Sequence, residues 1–243
     1  MAGAESNPKK SDLGVRTVSA LVMVGVAGTA LWLGGTVWIL FVMAVALGVL
    51  WEWRALALKF ASGIQAAAWI VAGMVYVGAA AAMLLYLRNA GPQSVVPVLY
   101  VVLAVIGTDV GAYFAGRTIG GPKIAPRISP SKTWAGLGGG MFGASLALLA
   151  VRSLDCGMTD AISPGVCFSE AMAQDGARML GFGMAAAVIA QAGDFFESWM
   201  KRRAGVKDSG RAIPGHGGVF DRVDGLLAIL FAMVVMLAIG SLL

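Results

Sequence analysis

The chain has 243 residues, 58% of them hydrophobic and only 13% charged, with a mean hydropathy of +0.81. Soluble domains carry about a quarter charged residues, so this balance excludes a soluble globular protein. The formal net charge of +5 at pH 7 does not require a nucleic acid, because no run interleaves aromatic with basic residues; basic loops beside an anionic leaflet account for it.

Residues 1–15 are polar and are expected to form a disordered cytoplasmic tail. Seven apolar stretches follow, at 16–33, 36–50, 64–87, 94–114, 134–151, 179–199 and 225–243. They approach or reach the roughly 20 helical residues needed to cross about 30 Å of hydrocarbon. The first has the basic start of a signal peptide, but further spans follow it, so it reads as a retained anchor. The third is one helix or two broken near Gly78. The expectation is therefore an all-α, polytopic membrane bundle of seven to eight transmembrane helices. Its N-terminal spans cover 16–93, and a C-terminal region, 94–243, holds the polar chemistry in loops 115–133 and 200–224. Many of the 34 glycines lie inside the spans, where small residues let helices approach closely in a membrane.

Charge placement orients the bundle. With the N-terminus in the cytoplasm, fifteen of the 18 Lys and Arg residues fall on the cytoplasmic side, leaving Arg88, Arg152 and Arg178 outside. That split follows the positive-inside rule in every loop. The outer segment 152–178 carries Asp155, Asp160, Glu170 and Asp175 and reads as a solvated connector. It also holds both cysteines, Cys156 and Cys167, which are either paired or two free thiols. A structural zinc site is not expected, because the single histidine, His216, lies on the opposite side.

Acidic residues within the spans point to chemistry, since a carboxylate near the bilayer centre costs about 2.5–3.5 kcal/mol even on lenient scales. Asp109 lies late in the fourth span with Tyr113 one turn on, and Asp194, Glu197, Ser198 and Lys201 share one face late in the sixth. Interfacial solvation is the alternative reading for these acids. Asp221 and Asp224 open the last span at i, i+3, a spacing that can present paired carboxylates to Mg²⁺; acids also sit well at a helix N-terminus for dipole reasons alone. Around them Gly215, Gly217 and Gly218 free the backbone for close approach to a ligand, and Lys201, Arg202, Lys207, Arg211 and Arg222 supply cations for a polyphosphate. His216 fits a phosphate or carboxylate contact. In the other inside loop, Ser131-Lys132-Thr133 lacks the glycine spacing of a P-loop. Hydroxyls and a lysine before a helix start still bind an anion or cap the helix.

The run from Ser198 to Asp224, with its Lys-Arg, Lys-Asp, Pro-Gly-His-Gly-Gly and Asp-Arg-x-Asp segments, resembles the signature of the phosphatidate cytidylyltransferase family. The stretches Asp109 to Tyr113, Ser129 to Trp134 and Gly193 to Ser198 are similar to the same family's upstream segments. The resemblance covers roughly the C-terminal 60% of the chain. It implies an enzyme that joins CTP to phosphatidic acid, giving CDP-diacylglycerol and pyrophosphate, with Mg²⁺ as cofactor. It further implies a dimer; the short compact chain favours a bacterial inner membrane, and the charge split puts the site on the cytoplasmic face.

Carried onto this chain, the resemblance makes Asp194, Asp221 and Asp224 the metal carboxylates and places Ser198 in the substrate site. Lys201, Arg202, Lys207 and Arg222 become phosphate ligands, and Asp208 orients a cation or the ribose. His216, Gly217, Gly218, Asp109 and Tyr113 join the substrate site. Ser129, Lys132 and Thr133 serve either the lipid phosphate or the nucleotide. A CTP-dependent polyprenol kinase and a secondary transporter are the competing classes. The first should lack the full signature, and the second needs inverted repeats and a midplane site.

Overall fold

The computed structural model describes residues 8–89, 95–160 and 164–241. Seven helices carry the chain: α1 (Pro8–Leu33), α2 (Gly35–Phe60), α3 (Gly63–Arg88), α4 (Val95–Thr118), α5 (Trp134–Asp160), α6 (Pro164–Arg203) and α7 (Phe220–Gly240). Each contains a segment long and apolar enough to cross a membrane, and the protein is an integral membrane protein. A 26-residue helix such as α3 is about 39 Å long, and the 40-residue α6 about 60 Å.

Several boundaries differ from the sequence reading. α1 starts at Pro8, inside the segment expected to be a disordered tail; proline suits the first helical position because the N–H it lacks would be unpaired there anyway. α3 is unbroken through Gly78, whose absent side chain faces open space, so the described residues form seven spans rather than eight. The outer segment expected to be a connector is largely helical, since α5 continues to Asp160 and α6 begins at Pro164. A disulfide joins Cys156 to Cys167 across these two helices, with Cα atoms 5.8 Å apart. Arg152 on α5 pairs with Asp175 on α6 at 3.2 Å, a second tie on that side. The departure from an all-helical chain is a small antiparallel hairpin before α5, β1 (Lys123–Ala125) with β2 (Ser129–Thr133).

Glycine sets the closest helix contact. On α4, Gly107 and Gly111 face Gly143 and Gly139 on α5, and a Cβ on any of the four would strike the partner's backbone carbonyl. Both helices thus present small residues four apart, so their backbones touch, in the manner of small-xxx-small membrane interfaces. That contact brings Asp109 of α4 to the start of α5 and the end of the hairpin.

A second core is aromatic. Trp53 of α2 is 2% exposed and packs against Trp69 and Tyr76 of α3, Phe196 of α6 and Phe220 of α7, with ring centroids 5.6–6.4 Å apart. Its indole N–H donates to the Trp69 carbonyl at 2.8 Å, satisfying the one polar atom of an otherwise apolar side chain. Gly73 leaves room for this ring, because a Cβ there would collide with it. The cluster locks the ends of α2 and α6 to the start of α7, which is where the charged residues lie.

Candidate active site

The last turns of α6 set four polar side chains on one face. Asp194 Oδ1 accepts a hydrogen bond from the Ser198 hydroxyl at 3.2 Å, and Glu197 pairs with Lys201 at 2.5 Å, each one helical turn apart. Lys201 Nζ also reaches Asp221 Oδ1 at 2.6 Å, tying α6 to the first turn of α7. Asp194 pairs with Lys132, the residue before the capping threonine of α5. Lys132 Nζ stands 4.9 Å from the centre of the Phe195 ring, which holds the ammonium over α6 by a cation–π contact.

The loop between α6 and α7 is built around two carboxylates. Asp221 Oδ2 accepts from the backbone N–H of Ser209 at 3.0 Å and of Gly218 at 2.8 Å. The Ser209 hydroxyl lies 3.0 Å from Asp221 Oδ2 and 2.7 Å from Glu52 Oε2, so it bridges the two acids. Glu52, 4% exposed on α2, accepts the Val219 N–H through Oε1 and the Phe220 N–H through Oε2, both at 2.9 Å. These are N–H groups that a helix start leaves without intrahelical partners, and the negative charge is favoured at the positive end of the α7 dipole. Gly217 supplies the turn with φ of 86°, a left-handed conformation that side chains disfavour. Gly218 has no room for a side chain, since a Cβ would strike Ser209 and Glu52. Arg222 closes the turn by donating to the His216 carbonyl at 2.7 Å.

The carboxylates that converge are Asp194, Glu197 and Asp224, which offer oxygens within 4.8 Å of one another. Asp221, expected as a metal carboxylate, lies outside that group, with both oxygens engaged by protein donors. Asp224 Oδ1 accepts the Gly225 N–H at 2.8 Å. Asp109 lies within electrostatic reach of Asp194, Lys132 and Arg222. Two polar cavities lie among these elements, the first bordered by Asp194 and the second by none of the three carboxylates. One, about 370 Å³, lies between α4, α5 and α6 and is lined by Asp109, Tyr113, Lys132, Thr133, Gln191 and Asp194. The other, about 640 Å³, is walled by the α6–α7 loop and contains Lys207, Asp208, Arg211, His216, Gly217 and Arg222; it is termed the outer cavity because it lies outside the helix bundle's α4–α6 cleft, on the loop side.

Other expected residues have different surroundings. Arg202 donates to the Ile128 carbonyl at the hairpin turn at 3.4 Å and lines neither cavity. Ser129 pairs with Ala125 in the hairpin and also lines neither. Thr133 caps α5 by accepting the Gly136 N–H at 3.0 Å while facing the cavity, so capping and site placement coincide. Sequence reasoning did not single out Glu52, Gln191 or Ser209, and it noted Glu197 without a role. Glu52 was missed because the second apolar stretch was bounded at 36–50, whereas α2 continues through Phe60 and buries it.

A model of the family described as "Cytidylyltransferase family" matches residues 56–240. The chain belongs to that family. It is similar to a phosphatidate cytidylyltransferase of Brucella suis, with 33% identity covering 90% of each protein. One of that name from Rickettsia bellii is 31% identical over 90% of this chain and 88% of its own length. Another, from Haemophilus influenzae, is 40% identical over 54% of this chain. The cytidylyltransferase is thus a membrane-embedded nucleotidyltransferase of phospholipid synthesis, and its family implies CTP, a lipid substrate and a divalent metal. The residues fit such a cation. Besides the three converging carboxylates, Glu197 Oε1 is buried without a hydrogen-bond partner, while its Oε2 is held by Lys201. A buried acceptor left unmatched is costly unless a ligand completes it.

Proposed function

We propose that the protein is a phosphatidate cytidylyltransferase, converting CTP and phosphatidic acid to CDP-diacylglycerol and pyrophosphate, with Mg²⁺ held by Asp194, Glu197 and Asp224. The observation that carries this reading is the convergence of those three carboxylates, with Asp194 lining a polar cavity beside Lys132 and with Lys207, Arg211 and Arg222 lining a second one at the α6–α7 loop. Similarity to relatives of that name supports the choice of lipid and nucleotide.

The reaction joins two anions. An oxygen of the lipid phosphate attacks the α-phosphorus of CTP, a new P–O bond forms there, and the bond to the bridging α–β oxygen breaks, releasing pyrophosphate with that electron pair. The nucleophile is already anionic, so no strong base is needed; charge neutralisation and positioning dominate the barrier. When bound, Mg²⁺ neutralises phosphate charge and acts as a Lewis acid at the reacting phosphoryl group. Lys132 and Lys201 keep cationic charge beside the carboxylates, each held by an ion pair. Asp221 and Glu52 do not bind substrate in this reading. They fix the loop whose Lys207, Arg211 and Arg222 face the outer cavity.

The charge asymmetry supports a cytoplasmic N-terminus and a site on the cytoplasmic side. The bacterial relatives support placement in a bacterial inner membrane.

Purified protein is expected to release pyrophosphate from CTP when both phosphatidate and Mg²⁺ are present, and EDTA should abolish the release. Asp194→Asn and Asp224→Asn should each lower turnover by roughly two orders of magnitude or more, as loss of a preorganised electrostatic group does, while the unfolding temperature in detergent is kept. Near-normal turnover in both variants would remove the metal from these carboxylates.

A further inference from the structure

The reaction brings together a lipid phosphate and a nucleoside triphosphate, and the described residues line two polar cavities that carry cationic side chains. We propose that the outer cavity receives the triphosphate of the nucleotide and that Arg16, on the first transmembrane helix, is one of its binding residues. The proposal rests on the reading of the chain as a CTP-dependent transferase.

Charge supports the assignment. Among the described residues, the lining of the outer cavity carries four cationic side chains, Arg16, Lys207, Arg211 and Arg222, and the carboxylate Asp208. Such a wall suits a polyphosphate, which offers oxygens to several guanidinium forks at once. Its lining includes only two apolar side chains larger than glycine, Ile213 and Pro214, so it provides no apolar channel for acyl chains. The other cavity lies between membrane-spanning helices and places Lys132 beside Asp194. That location suits a phosphate whose acyl chains remain in the bilayer.

The position of Arg16 is fixed by the same turn that forms the cavity. The Ser19 hydroxyl donates to the Pro214 carbonyl at 2.9 Å, and Ser19 is one helical turn from Arg16 on the same face. The Arg16 stem lies against Gly215, where a Cβ would come within 3.0 Å of Arg16 Cγ. Arg222 holds the next residue of the turn, His216, through its carbonyl. α1 is otherwise little buried, with 6% of its most apolar window covered by protein. A helix serving only as an anchor needs no polar tie to this loop. Arg16 also precedes the 56–240 segment that the family model matches, so motif comparison does not reveal it.

The test measures equilibrium binding of CTP and CMP to the purified full-length protein, together with KM for CTP and for phosphatidate. Wild type should bind CTP more tightly than CMP. Arg16→Ala should weaken CTP about tenfold or more, the scale of one charge-assisted hydrogen bond, and raise the KM for CTP similarly. CMP affinity and the KM for phosphatidate should stay unchanged. Arg16→Lys should recover part of the loss, and Lys59→Ala, on the exposed end of α2, should match wild type. If Arg16→Ala unfolds, Arg16→Gln keeps the stem against Gly215 and gives the same readout.

Unchanged CTP binding in a folded Arg16 variant would overturn the proposal and leave the transferase reading intact. A raised KM for phosphatidate alone would also overturn it, because the cavity would then belong to the lipid. Failure of wild type to bind CTP at all would instead remove the CTP-dependent reading, and the proposal with it.

Discussion

Glu52 Oε2 accepts the Phe220 N–H at 2.9 Å, joining the end of the second helix to the start of the seventh. The same carboxylate takes the Val219 N–H and approaches the Ser209 hydroxyl, so one buried acid organises both ends of the loop that faces the outer cavity.

Glu52→Ala should therefore destabilise the protein and lower activity together. It strands the Val219 and Phe220 N–H groups, each worth about 1–3 kcal/mol when left unmatched in a buried place, while the Ser209 hydroxyl keeps Asp221 as acceptor. Glu52→Gln should also be harmful, because its amide replaces one acceptor oxygen with a donor. Thermal unfolding in detergent measures the effect. An Ala variant as stable as wild type would show that the loop holds its shape without Glu52.

The helical frame was legible because apolar length and charge asymmetry are local properties, and the spans around Asp109 and Asp194 fall where they were expected. The site was legible in part. Asp194 and Asp224, read from the sequence as metal carboxylates, lie with Glu197 within 4.8 Å of one another, while Asp221 meets Ser209, Gly218 and Lys201. No spacing rule shows that, since those donors come from a loop whose path depends on Glu52, 157 residues before Ser209. The outer helices of the 152–178 segment were also hidden. Their polar composition resembles a connector, and only the folded chain shows α5 reaching Asp160 and α6 starting at Pro164, joined by a disulfide. Arg202, read from the sequence as a phosphate ligand, donates in the structure to the Ile128 carbonyl of the hairpin.

The α4–α5 interface yields a packing prediction. Gly111→Ala puts a methyl group against the Gly139 carbonyl and should destabilise by about 1–3 kcal/mol through overpacking. Gly78→Ala, which meets open space on α3, should be neutral or stabilise by up to about 1 kcal/mol through helix propensity. Equal effects in the two variants would mean that the close helix contact is not what Gly111 provides.

Orientation is testable through thiols. In spheroplasts, after reduction of the Cys156–Cys167 disulfide, an impermeant maleimide should label these cysteines. In a background with both native cysteines replaced by serine, Lys59→Cys at the opposite end of the bundle should remain unlabelled until the cells are opened. The reverse pattern would place the site outside and contradict the reading of the fifteen-to-three charge split.

The most direct test follows the nucleotide's phosphorus atoms. Purified protein is given phosphatidate and Mg²⁺ with CTP labelled at either the α or the γ phosphorus. The account predicts that α label enters the lipid fraction in equal amount to the pyrophosphate released, and that γ label leaves entirely as pyrophosphate. Transfer of γ label to the lipid with release of CDP would contradict nucleotidyl transfer and make the protein a lipid kinase.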